Sequence, residues 1–209
     1  MPLLNTRTDF GSLHRLLHWS IVVLVCAAYV STIYATNFME RSTPQWQNVN
    51  RVHQALGLTI LALASVMLVL RLIRPRPRAE HANKFEAIVA YLAHGAIYFL
   101  LLALPITGYL GGTRPRDFFG IYTLPSFKSS AAFEWISQTF GITYAQFEAP
   151  MDFFHRELAG PWALSVLIVL HTAAALLHHI HRRDDTLVRM APGVFRRRVK
   201  TAPATAPEN

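Results

Sequence analysis

The chain has 209 residues, 52% hydrophobic and only 15% charged, with a formal net charge of +8. A soluble domain carries nearer a quarter charged residues, so this composition describes a single membrane domain. The basic residues flank apolar runs, which excludes nucleic acid as their partner, and a lone Cys26 excludes disulfides and thiolate metal sites.

The first apolar segment runs over about residues 16 to 34, with His14 and Arg15 before it and His18-Trp19 inside it. It lacks a small-residue cleavage site and reads as a span rather than a leader. The second covers about 52 to 73 and carries His53 in its first turn. A stiff charged connector, Arg74-Pro-Arg-Pro-Arg78, follows. The third covers about 85 to 110, holds His94, and bends or loosens at Pro105 and Gly108. An outer loop of about 111 to 157 has a short helix expected near 131 to 139. It is too small for a core of its own, and is expected to lie as a lid across the bundle mouth.

The fourth segment, about 161 to 180, has His155 just before its start, His171 near its middle, and His178 and His179 near its end. Twenty helical residues at 1.5 Å each reach about 30 Å, the thickness of the hydrocarbon core. Since only helices and closed barrels satisfy their backbone in lipid, the fold class is all-α: an integral membrane four-helix bundle. Residues 1 to 190 form that one domain, and 191 to 209 read as a basic, disordered tail. With both termini cytoplasmic, 14 of the 20 Lys and Arg residues fall on the inner side and 6 on the outer.

Given this topology, the histidines sort by depth. His18 and His171 lie toward the cytoplasm, His53 and His155 toward the outside. One buried histidine is ordinarily satisfied by a hydrogen bond between helices; four in two layers on different helices suit bis-imidazole ligation of two haems. No CxxCH motif is present, so such haem would be non-covalent, b-type. Gly57, four residues beyond His53, suits either a flat macrocycle or close helix packing. Arg15 and Arg51 stand near the expected membrane edges, as propionate partners or as interfacial anchors.

The stretches LLHW (16 to 19), HQALG (53 to 57), AHGAIYFLLLALPITGY (93 to 109) and LHTAAALLHHIHRRDDTLVRM (170 to 190) resemble the bacterial cytochrome b561 family. The likeness is nearest to its small stand-alone superoxide:ubiquinone oxidoreductase members. It is more distant to the cytochrome b subunits of formate dehydrogenase and nickel hydrogenase. The resemblance implies a multi-pass protein of the bacterial inner membrane. It also implies His18 paired with His171, and His53 with His155, as the metal ligands of two haem b groups. The family usually separates its two fourth-helix histidines by fourteen residues, but here they are sixteen apart, about 160° round an unbroken helix. Gly160-Pro161, read as a helix start or kink, could absorb the slip.

The same resemblance puts ubiquinone near the inner haem beside His178, as its hydrogen-bond partner or proton donor. His94 could assist, and Lys84 or His81 could line the entrance. His179 and His181 read as a basic interfacial end. The function implied is electron transfer from superoxide to ubiquinone. The alternative is a haem-bearing anchor for a periplasmic redox partner or dehydrogenase, and a third reading is a haem-free scaffold. For residues 111 to 157 four basic residues meet five acidic ones, so superoxide attraction would have to come from a local patch such as Arg51, Arg114 and Arg116.

Overall fold

In the computed structural model, residues 2–74, 77 and 83–191 are described; the 74-to-78 connector beyond Arg74 and Pro77, His81, and the tail beyond residue 191 lie outside them. Three long helices come first: α1 (Ser12–Phe38), α2 (Pro44–Ile73) and α3 (Lys84–Leu110). A β-hairpin follows, β1 (Arg116–Phe118) paired antiparallel with β2 (Tyr122–Leu124), and then α4 (Ala131–Phe140). The fourth long element is helical from Tyr144 to Arg182. It comprises α5 (Tyr144–Asp152), a π-helical stretch Phe153–Leu164, α6 (Ser165–Leu177) and a π-helical end His178–Arg182. A short α7 (Thr186–Met190) closes the described chain. All four long helices are long and apolar enough to cross a membrane.

The spans run past the hydrophobic stretches read from the sequence, and for α2 a polar cap accounts for the extension. Thr43 accepts a hydrogen bond from the Trp46 amide and Pro44 fills the first turn, so α2 begins eight residues before the expected start at 52. Asn83 caps α3 through the Glu86 amide at 2.9 Å. One buried face per helix builds the core: Leu17, Ile21 and Val25 of α1 meet Ile60, Ala64 and Met67 of α2, and Tyr98 and Leu101 of α3. A second cluster joins Leu100 and Leu104 of α3 to Ala159 and Leu164 of the π stretch. Val30, Val69, Phe99, Val169 and Leu177 point outward, as a lipid-facing surface requires.

The largest departure from expectation is at Gly160-Pro161. The helix neither starts nor breaks there, so the expected beginning at 161 is corrected to Tyr144, and His155 lies inside the helix. Pro161 sits in the π stretch, where the bonding pattern shifts from i+4 to i+5. The Gly160 carbonyl in this stretch is met from elsewhere: Tyr29 of α1 donates to it at 2.5 Å, and Ser165 donates to the Tyr29 hydroxyl at 3.0 Å. The backbone is tight here, since a Cβ on Gly160 would stand 2.6 Å from the His155 carbonyl oxygen.

The outer segment is correspondingly shorter than 111 to 157. Its aromatic rings Phe127, Phe133, Tyr144 and Phe147 pack on one another. The Tyr144 hydroxyl ties this cluster to the end of α3, lying 2.6 Å from the Leu110 carbonyl and 2.9 Å from that of Gly112. The hairpin, which no periodicity in the sequence announced, lies against α2.

If the Tyr29 hydroxyl holds the π stretch, Tyr29→Phe leaves the Gly160 carbonyl with only Ser165 at 3.4 Å, a loss of about 1 kcal/mol. The thermal unfolding midpoint should fall by several degrees; an unchanged midpoint would show that the stretch is held by other means.

Candidate functional site: two facing imidazole pairs

Sixteen residues separate His155 from His171, and the π stretch brings them into phase. Nine steps at about 82° (some 4.4 residues per turn) and seven at about 100° make about four whole turns, so the two rings leave the same face of one helix. Across the bundle each meets the imidazole expected from the sequence. The His53 and His155 ring centroids are 6.2 Å apart, and those of His18 and His171 are 6.5 Å apart.

Backbone and hydroxyl oxygens orient the outer pair. His155 Nδ1 lies 2.8 Å from the Leu104 carbonyl. His53 Nδ1 lies 3.2 Å from the Ala28 carbonyl and 3.0 Å from the Thr32 hydroxyl. A carbonyl can only accept, so both Nδ1 atoms carry the proton and both Nε2 atoms keep the lone pair that binds a metal. Gly108 makes the approach possible, because a Cβ there would stand 2.7 Å from the His155 ring. It is a site residue whose only signal in the sequence was a small residue near Pro105.

At the inner layer, His18 Nδ1 is buried and has no hydrogen-bond partner among the described residues. His94 stands edge-on to His171 at 5.0 Å and bonds through Nδ1 to the Ala90 carbonyl at 2.6 Å. Arg15, in the first turn of α1 and three residues before His18, is buried, only 4% exposed. Arg51 is exposed, inside α2, with Nη1 3.5 Å from Asn48 Oδ1. Gly57 faces Pro105 at an ordinary 4.0 Å, so packing within the chain does not itself demand glycine there.

The expected outer patch is only partly assembled. Arg116 donates to the Gly108 carbonyl at 3.0 Å, and Arg156 pairs with Asp152 at 3.4 Å. Burial pulls the Arg116 pKa below its ordinary value, yet a guanidinium stays cationic at physiological pH.

At the far end, the HW and TLVRM motifs meet: the Trp19 indole donates to the Met190 carbonyl at 2.8 Å. Arg189 reaches the Thr8 carbonyl, so the N-terminal segment and α7 lie at the same end of the bundle. His178 is engaged at both ring nitrogens, Nδ1 by Asp184 at 2.6 Å and Nε2 by Glu86 at 2.8 Å. Neither carboxylate stood out in the sequence.

The family description of prokaryotic cytochrome b561 matches residues 9–193. The chain belongs to this family. It is similar to cytochrome b561 homolog 2 of Escherichia coli (strain K12), 26% identical over 91% of this chain and 95% of that protein. It is also similar to the probable superoxide oxidase CybB of Yersinia pestis, 30% identical over 84% of this chain and 92% of that one. With four apolar spanning helices, the protein is a multi-pass component of the bacterial inner membrane that carries electrons.

Haem b is the cofactor that a cytochrome b561 implies, and the residues present fit it. A metal held between two imidazoles by bonds of about 2 Å, with ring radii of about 1.2 Å, would set their centroids about 6.4 Å apart, close to both pairs. The 5.0 Å between His94 and His171 is too short for a metal to lie between them, so His94 is a close neighbour of the His171 ring. Among the described residues no three His, Cys, Asp or Glu converge on one point. Each pair therefore offers two donors, as a macrocycle bringing four nitrogens of its own requires.

Gly108→Val should drive the His155 ring from its seat and lower the haem bound per chain in a pyridine haemochrome assay. Unchanged haem content would show that the ring does not need this opening.

Proposed function

We propose that this cytochrome b561 binds two haem b groups, one between His18 and His171 and one between His53 and His155. In this reading it passes electrons from superoxide at the outer face to ubiquinone at the cytoplasmic face. The observation that carries it is the presence of two imidazole pairs, each at axial separation, in two layers. His53 touches Ser31 and Thr32 of α1, and thirteen residues from His18 to Ser31 put the layers about 20 Å apart.

Bound haem supplies one-electron chemistry through its iron. The chain's own residues do the rest. Leu104, Ala28 and Thr32 fix the ring orientations and tautomers of the outer ligands. The apolar walls exclude water, and buried Arg15 offers a positive partner for a propionate in the inner layer. Arg116 and Arg156 place positive charge over the outer pair, where an anionic donor arrives, although the outer segment as a whole is not cationic. The similarity to a probable superoxide oxidase supports superoxide as that donor. Both termini lie in the cytoplasm on this reading, following the 14-to-6 split of basic residues.

A second reading, an anchor for a periplasmic redox protein, draws on apolar residues bare on the outer segment: Ile121 is 81% exposed and Trp135 62%.

Rapid mixing of quinone-loaded protein with superoxide separates the two. Superoxide oxidation predicts immediate haem reduction followed by quinol formation; no haem reduction would leave the anchor reading. Haem content should be about two per chain and fall to about one in His171→Ala and in His53→Ala. Two haems retained in either variant would contradict the pairing.

A further inference from the structure

Arg71 stands two residues before the end of α2 and is half-buried. That end of the helix lies beside the N-terminal segment, since Leu70 and Arg74 share a small cavity with Leu3, Leu4 and His14. The Arg71 guanidinium lies over the buried Tyr98 ring of α3, 5.1 Å from its centroid. Among the described residues no carboxylate pairs with Arg71. The guanidinium stays cationic at physiological pH, so it is a full positive charge on the flank of an apolar bundle. Such a charge is costly in a membrane unless an anion meets it, and the face of one aromatic ring offsets only part of that cost.

The guanidinium lines a cleft of about 250 Å³ between α2 and α3. Leu68 and Leu72 form one wall, and Gly95, Phe99 and Leu102 form the other. Leu72 and Phe99 are exposed, so the cleft opens sideways, where the surface faces hydrocarbon. From Tyr91 at one end to Leu102 at the other is eleven residues, about 16 Å along α3. Gly95 keeps the floor open: a Cβ there would meet no atom within 4 Å. Glycine weakens a helix interior, and packing within the chain does not require one at this position. The space it leaves is open to a molecule other than the chain. None of His18, His53, His155 and His171 lines it, so the cleft is separate from the imidazole pairs.

We infer that this cleft binds an anionic phospholipid, with its phosphate on Arg71 and an acyl chain laid along Gly95 toward Leu102. A guanidinium presents a planar fork of donors that matches phosphate oxygens, and basic pockets between spanning helices suit anionic headgroups. A zwitterionic lipid brings its own ammonium to the same phosphate and neutralises Arg71 less well. A quinone head is uncharged and leaves the guanidinium without a counterion. The apolar walls take the acyl chain of the lipid whose phosphate the arginine holds.

The test titrates haem-loaded protein in a neutral detergent with phosphatidylglycerol or with phosphatidylcholine of the same acyl chains. Native mass spectrometry counts the lipid bound. Wild type should hold a single phosphatidylglycerol about fivefold more tightly than phosphatidylcholine. Arg71→Gln should erase that preference, whereas Arg74→Gln, at the helix cap and outside the cleft, should keep it. Gly95→Leu should weaken both lipids by filling the floor. Haem content is measured in every variant and should not change. Equal affinity for the two lipids in wild type overturns the site. Equal losses in Arg71→Gln and Arg74→Gln overturn it too, by assigning the attraction to general surface charge. Haem loss in Arg71→Gln would give the guanidinium to the cofactor instead, and ubiquinone displacing phosphatidylglycerol at equal concentration would give the cleft to quinone; either result overturns the inference. A Gly95→Leu protein that binds both lipids as wild type does overturns the acyl path. Should Gly95→Leu lose haem, the two arginine variants decide alone.

Discussion

The contact between His155 and the Leu104 carbonyl sets the geometry of the outer half of the bundle. It forms because Gly108 has no side chain to keep the imidazole away from α3, and because the π stretch aims the ring at that gap. Straighten the stretch into an ordinary helix and sixteen residues would leave His155 about 160° from the face of His171. The wider turns remove that offset. The Gly160 carbonyl among them accepts from the Tyr29 hydroxyl and, at 3.4 Å, from Ser165, groups that lipid could not replace. One local change in hydrogen bonding thus aims the His155 ring at α3, and the Tyr29 side chain of α1 maintains it.

The two layers answer different chemical demands. In the outer one, bonds to the Nδ1 atoms leave each imidazole a free Nε2, and two guanidiniums stand nearby without entering it. In the inner one, His18 Nδ1 is left unmet by the described residues and a buried Arg15 stands in an apolar bundle. A cofactor whose metal takes two imidazoles and whose propionates suit a buried guanidinium would fit this layer, and haem b has that chemistry.

Much of the fold was legible because its physics is one-dimensional. Hydrocarbon thickness sets how many residues a span needs, and a rise of 1.5 Å per residue converts position into depth, so sequence position alone sorts the histidines into layers. What escaped depends on contacts distant in sequence. Pro161 after Gly160 reads locally as a helix start, and only Tyr29, more than a hundred residues earlier, lets the helix continue through it. The burial of Arg15 was not legible either, because a sequence gives distance along a helix but not which side of it is covered. The partners of His178 were invisible for a similar reason: Asp184 arrives through a backbone reversal at Arg183, and Glu86 through the packing of α3. Gly108 carried only the weak signal of a glycine near a proline.

Low-temperature electron paramagnetic resonance of the oxidised protein, with spins counted against chain concentration, addresses the proposed arrangement most directly. Two bis-imidazole irons predict two low-spin ferric signals and about two spins per chain. One low-spin signal per chain, or a high-spin signal of comparable intensity in the native protein, would contradict it.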